Sequence, residues 1–217
     1  MLILFDLDGT LIDSAPDLAA SVNHLRQVRG LAPLPFESLR HFCGAGARGM
    51  LAAGLRLTPQ SPCYETERQA FLSHYEAHMF DRAALFAGVS DMLLSIEEAG
   101  WRWGIVTNKS ARFAGPMCRL LGLDGAACLI SGSDMGKMKP LPDALLAGIK
   151  ACGGTAQKTV YIGDDRRDRL CAANAGVPFI AAGWGYVEGS IPVKDWGAEG
   201  LADGPRDVPI LVRRLLS

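Results

Sequence analysis

Residues 1–14 read MLILFDLDGTLIDS, a run of apolar residues that stops at Asp6, followed by Asp8 and then Gly9-Thr10. A short apolar run ending in a turn has the signature of a buried strand. Two carboxylates at its end are costly to bury without partners. Residues i and i+2 of an extended segment point the same way, so Asp6 and Asp8 present two acids to one side, and Gly9 permits the turn that follows.

The same pattern recurs along the chain. Apolar runs from Trp103 to Val106, Ala127 to Ile130, Thr159 to Ile162 and Phe179 to Ala182 each end in polar or glycine residues. Helical spacing marks Ala111 to Leu121, Pro142 to Ala151, Arg166 to Ala175 and Asp207 to Leu216 between and after them. Buried strands alternating with helices predict an α/β fold, a Rossmann-like parallel sheet with helices on both faces. Such sheets bind ligands at the carboxyl ends of their strands. Asp6, Asp8, Thr107, Asn108, Lys139, Asp164 and Asp168 all fall at or just beyond such ends.

Residues 15–85 differ in texture, with helical periodicity and no strong strand signal. They read as an inserted helical unit, leaving 1–14 and 86–217 as the α/β core domain. Pro33-Leu34-Pro35 and Thr58-Pro59-Gln60-Ser61-Pro62 mark turns between its helices, and Gly44-Ala45-Gly46-Ala47 is expected to open a helix at Arg48.

The chain has 217 residues, 49% hydrophobic and 21% charged, with 22 basic and 23 acidic side chains and a formal net charge of −1. That balance offers no broad positive field for nucleic acid and no basic amphipathic anchor for a membrane. No apolar stretch approaches the ~18 residues of a membrane span. A small-molecule partner and a cytoplasmic location are the expectations. Six cysteines without a C-x-x-C pair read as reduced, mostly buried thiols.

Two acids at one site suit a nucleophile and a proton carrier. A carboxylate approaching a phosphate meets a repulsion of about 4 kcal/mol per unit pair at 4 Å and an effective dielectric of 20. Cations are therefore required. Asp164 can complete an all-oxygen Mg²⁺ site with Asp6 and a backbone carbonyl, and Lys139 brings a second positive charge. Thr107 and the Asn108 amide can donate to phosphate oxygens. Taken singly, Thr107-Asn108 would pass for a turn, and Asp165 and Asp168 for helix caps; it is the set that points to chemistry. His74 and His78, four residues apart on a helix, lack an obvious third ligand and read as a partly exposed face. Trp101 and Trp103 read as core, and Trp184 as core or as a border of the pocket.

FDLDGTLIDS, VTNK, KP and GDDRRD, in this order, resemble the four motifs of the haloacid dehalogenase superfamily of phosphatases, with residues 15–85 in the position of its helical cap. The resemblance implies that Asp6 attacks phosphorus to form an aspartyl phosphate and that Asp8 protonates the leaving oxygen and then activates water. It implies that Thr107 binds the phosphoryl group and Lys139 stabilises its charge. Asp164 would join the Asp6 carboxylate and the Asp8 carbonyl around Mg²⁺, while Gly9, Asn108 and Asp168 support the phosphate site, Asp168 through water or by orienting Lys139.

Asp8 separates the chain from the dehalogenases, which lack an acid there, and the absence of lysine from residues 15–85 excludes the phosphonate-cleaving branch. The cap stretch HFCGAGARGMLAAGL with VTNK looks most like phosphoglycolate phosphatases. GDDRRD with the later GY and DWGAE is similar to phosphatases of N-acetylmuramic acid 6-phosphate. Both substrates carry a carboxylate beside the phosphate, and Arg48 is the candidate to recognise it through bidentate pairing. A sugar phosphate mutase is a further reading, because mutases share these motifs. A phosphate-receiving signalling domain fits poorly, since receivers lack the D-x-D pair and the cap. Ser110, where proline often follows VTNK, and Arg166-Arg167 depart from the common pattern. A monomer or a homodimer is the expectation.

Overall fold

The computed structural model describes residues 1–187 and 191–216. The strands in chain order are β1 (Leu2–Phe5), β2 (Ile12–Asp13), β3 (Ala84–Leu85), β4 (Arg102–Thr107), β5 (Leu129–Ser131), β6 (Thr159–Gly163), β7 (Phe179–Ala182) and β8 (Gly200–Ala202). The α-helices are α1 (Ala15–Val28), α2 (Gly46–Leu55), α3 (Tyr64–His78), α4 (Val89–Glu98), α5 (Ala111–Leu120), α6 (Asp143–Ala151), α7 (Arg166–Ala175) and α8 (Val208–Leu216). The chain falls into two compact units, Met1–Ile12 with Leu85–Ser217, and Asp13–Ala84.

The larger unit is built on a six-stranded sheet in the order β5-β4-β1-β6-β7-β8. Every neighbouring pair is parallel. All four residues of β1 are buried, as a strand covered on both faces requires. Leu2, Leu4, Val106, Tyr161, Phe179 and Ala181 pack with Ala144, Leu145 and Ile149 of α6 and with Cys171 and Ala172 of α7. Alternate residues such as Ile3 and Phe5 point to the opposite face. Gly148 lets α6 approach the sheet closely, because a Cβ there would lie 2.8 Å from Val106 Cγ2.

From β1 the connections run outward through β4 to β5, then return to β6 and run the other way. The strand order therefore switches beside β1, the position at which sheets of this kind place a ligand crevice at the carboxyl ends. The edge strand β8 goes unrecognised in the sequence, since Gly-Leu-Ala carries too little strand signal.

In the smaller unit, Leu18, Val22 and Leu25 of α1, Met50 and Leu51 of α2, and Phe71 and Tyr75 of α3 form the core. Asp17 of α1 is buried and accepts the main-chain N–H groups of Arg82 and Ala83 at 3.2 and 3.0 Å. The helix expected at Arg48 begins earlier, at Gly46, after a 3₁₀ segment over Arg40–Ala45. Gly49 admits that arrangement, for a Cβ there would sit 2.3 Å from the Phe42 carbonyl oxygen. His74 and His78 are joined by His24 of α1, the three imidazoles stacking with centroids 4.1 and 4.4 Å apart.

All six cysteines are free, four of them buried, with Cys63 exposed. Trp103 is core, its indole N–H donating to Glu97 at 2.8 Å. Trp101 is not core: it precedes β4, half-buried, with the Arg213 guanidinium 5.5 Å from its ring. Among the described residues no helix is long and apolar enough to cross a membrane.

Candidate active site

The loops that leave β1, β4, β5 and β6 carry the residues singled out by the sequence. Carboxylate oxygens of Asp6, Asp164 and Asp168 lie within 4.8 Å of one another, and all three residues are buried. Lys139, 5% exposed and joined to Pro140 by a cis peptide, reaches into this group. Its ammonium lies 2.6 Å from Asp168 Oδ1 and 2.8 Å from Asp6 Oδ1. Burial works against the charge on Lys139, but Asp168 and Asp6 outweigh it and hold the ammonium above its ordinary range.

Asp168 thus faces Lys139 directly, and its other oxygen accepts the Asp165 N–H at 3.1 Å. Asp165 reciprocates at the start of α7, so the two acids form a capping box. Capping and orientation of Lys139 are two duties of one side chain.

Asp164 is held from both sides. Thr10 Oγ1 donates to its Oδ1 at 2.8 Å and the Tyr186 N–H to its Oδ2 at 2.9 Å. Gly9, at φ +83°, packs so closely that a Cβ would lie 2.1 Å from Asp164 Oδ2. Burial, followed by the charges of Asp6 and Asp168, pushes the Asp164 carboxyl well above its usual range. Fully ionised, these three buried carboxylates would face one buried ammonium with a surplus of two negative charges, the repulsion that adds to burial in raising the Asp164 carboxyl. Asp6 Oδ1 is buried without a well-aligned hydrogen-bond donor among the described residues, although Lys139 is near it. A hard oxygen donor set whose full ionisation needs further positive charge fits a divalent cation such as Mg²⁺.

Asp8 lies nearby on the same loop and is paired with Lys109, whose ammonium is 3.0 Å from Asp8 Oδ1. Thr107 is buried at the end of β4, and its hydroxyl oxygen accepts the Lys109 N–H at 3.1 Å. The side-chain amide of Asn108 brackets the backbone of Lys139. Its Oδ1 accepts the Lys139 N–H at 2.8 Å and its Nδ2 donates to the Lys139 carbonyl at 3.3 Å. A side chain so engaged braces the lysine loop. Arg48 lies in the other unit, exposed on α2.

Three contributors escape the sequence reading. Lys109 was visible in VTNK, and its spacing from Thr107 was the available signal. Tyr161 lies inside β6 and looks like core, yet its hydroxyl is 3.0 Å from Lys139 Nζ. Tyr186 acts through its backbone N–H, which no side-chain pattern reveals.

A doubly wound sheet with an acidic, lysine-bearing cluster at its switch point defines the class, an enzyme-like α/β domain. A family profile described as haloacid dehalogenase-like hydrolase matches residues 3–182. The chain is 36% identical over 215 residues to an N-acetylmuramic acid 6-phosphate phosphatase of Pseudomonas aeruginosa, covering 99% of this chain and 95% of that one. It is 42% identical over 204 residues to a phosphoglycolate phosphatase of Xanthomonas campestris pv. campestris, covering 94% and 92%. The crystal structure of a predicted phosphoglycolate phosphatase from Haemophilus somnus shares the fold, with a TM-score of 0.84 at 23% identity over 97% of this chain and 96% of that one. The protein belongs to the haloacid dehalogenase-like hydrolases.

Proposed function

We propose that this hydrolase is a Mg²⁺-dependent phosphomonoesterase acting on a small phosphorylated metabolite, with phosphoglycolate the favoured substrate. The observation that carries the reading is the convergence of Asp6, Asp164, Asp168 and Lys139 at the strand ends. The relatives support it, being phosphatases over nearly the whole chain.

In the reaction, a carboxylate oxygen of Asp6 attacks phosphorus and forms an acyl phosphate as the bond to the leaving oxygen breaks. Asp8 gives that oxygen its proton, and Lys109 fixes the direction of the Asp8 carboxyl. Asp8 then takes a proton from water, whose oxygen attacks phosphorus, frees phosphate and restores Asp6. The Thr107 hydroxyl and Lys139 hold the phosphoryl oxygens, while Asp168 keeps Lys139 in place. Asp6, Asp164 and the Asp8 carbonyl would hold Mg²⁺, which when bound offsets the repulsion between the carboxylate and the phosphate.

A second reading, a phosphatase of N-acetylmuramic acid 6-phosphate, is favoured by the relative that matches 99% of the chain. Both substrates are small, soluble anions, in keeping with a cytoplasmic enzyme whose Asp13–Ala84 unit serves as the cap. The test compares kcat/KM on phosphoglycolate, N-acetylmuramic acid 6-phosphate and hexose phosphates, with and without EDTA, for the wild type and Asp6→Asn. Hydrolysis should require Mg²⁺ and fall by at least roughly 10³-fold in Asp6→Asn. Activity that survives this substitution sinks the mechanism.

A further inference from the structure

We propose that the loop Gly183-Trp184-Gly185-Tyr186, which follows β7, is the positioning element of Asp164 and sets the affinity of the divalent-cation site. This deepens the cation-dependent reading above and rests on it.

The loop touches Asp164 in two ways. The Tyr186 N–H donates to Asp164 Oδ2 at 2.9 Å. The backbone of Gly185 lies flat against the side chain, so that a Cβ there would be 2.3 Å from Asp164 Cβ and 2.3 Å from the Gly9 carbonyl oxygen. On the other side stands Gly9, itself without room for a side chain. The carboxyl group is clasped between two glycines, with Thr10 Oγ1 on one oxygen and the Tyr186 N–H on the other.

The loop is itself held firmly. Gly183 N–H donates to the Ala202 carbonyl of β8 at 2.8 Å, and the Trp184 indole N–H to the Thr10 carbonyl at 2.9 Å. Tyr186 is buried, 5% exposed, with its ring 6.2 Å from that of Phe86. Trp184 thereby ties this loop to the residue whose hydroxyl holds the other Asp164 oxygen. One loop, one indole and one threonine fix a single carboxylate.

The physical need is plain. Three carboxylates crowded together repel one another, and an unrestrained Asp164 would rotate away when no cation is present. An ionised carboxylate offers about four lone-pair positions, and the protein uses one on each Asp164 oxygen, so further positions stay available to a metal. Groups that orient metal ligands in this way typically change affinity by about 10–100-fold when removed. The binding geometry is thus prepared by residues that would not touch the ion.

The experiment titrates Mg²⁺ by calorimetry into the full-length wild type, Gly185→Ala and Trp184→Phe, with Gly115→Ala on α5 as the control glycine. Gly185→Ala should raise the Mg²⁺ Kd by about 10–100-fold and Trp184→Phe by a smaller factor, with Gly115→Ala unchanged. Turnover by the variants should approach the wild-type kcat at saturating Mg²⁺, with the half-saturating Mg²⁺ concentration shifted upward. A Kd within twofold of the wild type in both loop variants overturns the proposal while leaving the cation reading intact. If Gly185→Ala does not fold, Trp184→Phe, which adds no atom beside Asp164, decides the matter alone. A wild type that does not bind Mg²⁺ overturns the cation reading, and this proposal with it.

Discussion

The hydroxyl of Tyr161 lies 3.0 Å from the ammonium of Lys139 and 2.9 Å from the Val106 carbonyl oxygen. With Asp168 and Asp6 on its other sides, the ammonium is held by three oxygen-bearing side chains. The tyrosine hydroxyl accepts from Lys139 and donates its own O–H to the Val106 carbonyl of β4, so the lysine is anchored to the sheet. Tyr161→Phe removes a hydrogen bond to a charged group, worth about 1.5–3 kcal/mol. We expect kcat to fall by roughly 10–100-fold with KM little moved, because the substitution loosens a group that stabilises charge in the transition state. A steady-state comparison of the two enzymes checks it, and an unchanged kcat rejects it.

Gly54 of α2 packs against Val22 of α1, where a Cβ would meet Val22 Cγ2 at 2.2 Å. Glycine to alanine inside a helix ordinarily stabilises by up to ~1 kcal/mol. Here overpacking should reverse the sign and cost about 1–3 kcal/mol. Urea denaturation of Gly54→Ala should show a lower midpoint, and Val22→Ala in the same chain should recover part of the loss. A midpoint that rises in Gly54→Ala contradicts this packing.

His74 is held below its usual pKa, chiefly by burial and then by His24 and His78, with Asp81 opposing. Its Nδ1 lies 3.1 Å from Ser21 Oγ, and His78 Nδ1 lies 2.9 Å from Asp81. The folded state therefore binds fewer protons at this group than the unfolded chain below about pH 6.5. Unfolding takes up protons there, so stability falls as the pH drops through that window and is fully present above it. The thermal midpoint should decline from pH 7 to pH 5.5, and more steeply in the wild type than in His74→Gln. Equal slopes exclude the imidazole stack as the source.

Arg48, exposed on α2, is proposed from its charge and place in the sequence to recognise a substrate carboxylate. Arg48→Ala should lower kcat/KM on phosphoglycolate and N-acetylmuramic acid 6-phosphate by roughly 10-fold or more, while hexose phosphates change little. Equal losses on all substrates remove Arg48 from the specificity assignment.

The strand ends were legible because each apolar run breaks at a polar residue, and a parallel sheet gathers those breaks along one edge. Asp6, Asp164, Asp168 and Lys139 meet for that reason. What stayed hidden acts by other means. Tyr161 is a strand residue whose ring is core and whose hydroxyl alone joins the polar group. Tyr186 contributes a backbone N–H, and Gly185 contributes the absence of a side chain. The side chain of Asn108 also brackets the Lys139 backbone, a contact that only the tertiary structure brings about. His24 is separated from His74 by 50 residues, and no local pattern joins them.

Ser110 departs from the proline common after VTNK, and its hydroxyl donates to Asp134 Oδ1 at 2.8 Å while the Ala111 N–H reaches Asp134 Oδ2 at 2.8 Å. One carboxylate from the loop after β5 thus closes the start of α5. A proline at 110 would remove the hydroxyl's bond and leave Asp134 the Ala111 N–H and the Ser133 hydroxyl. Positions 110 and 134 are therefore coupled, the serine hydroxyl and the Asp134 carboxylate each depending on the other for this bond between two loops.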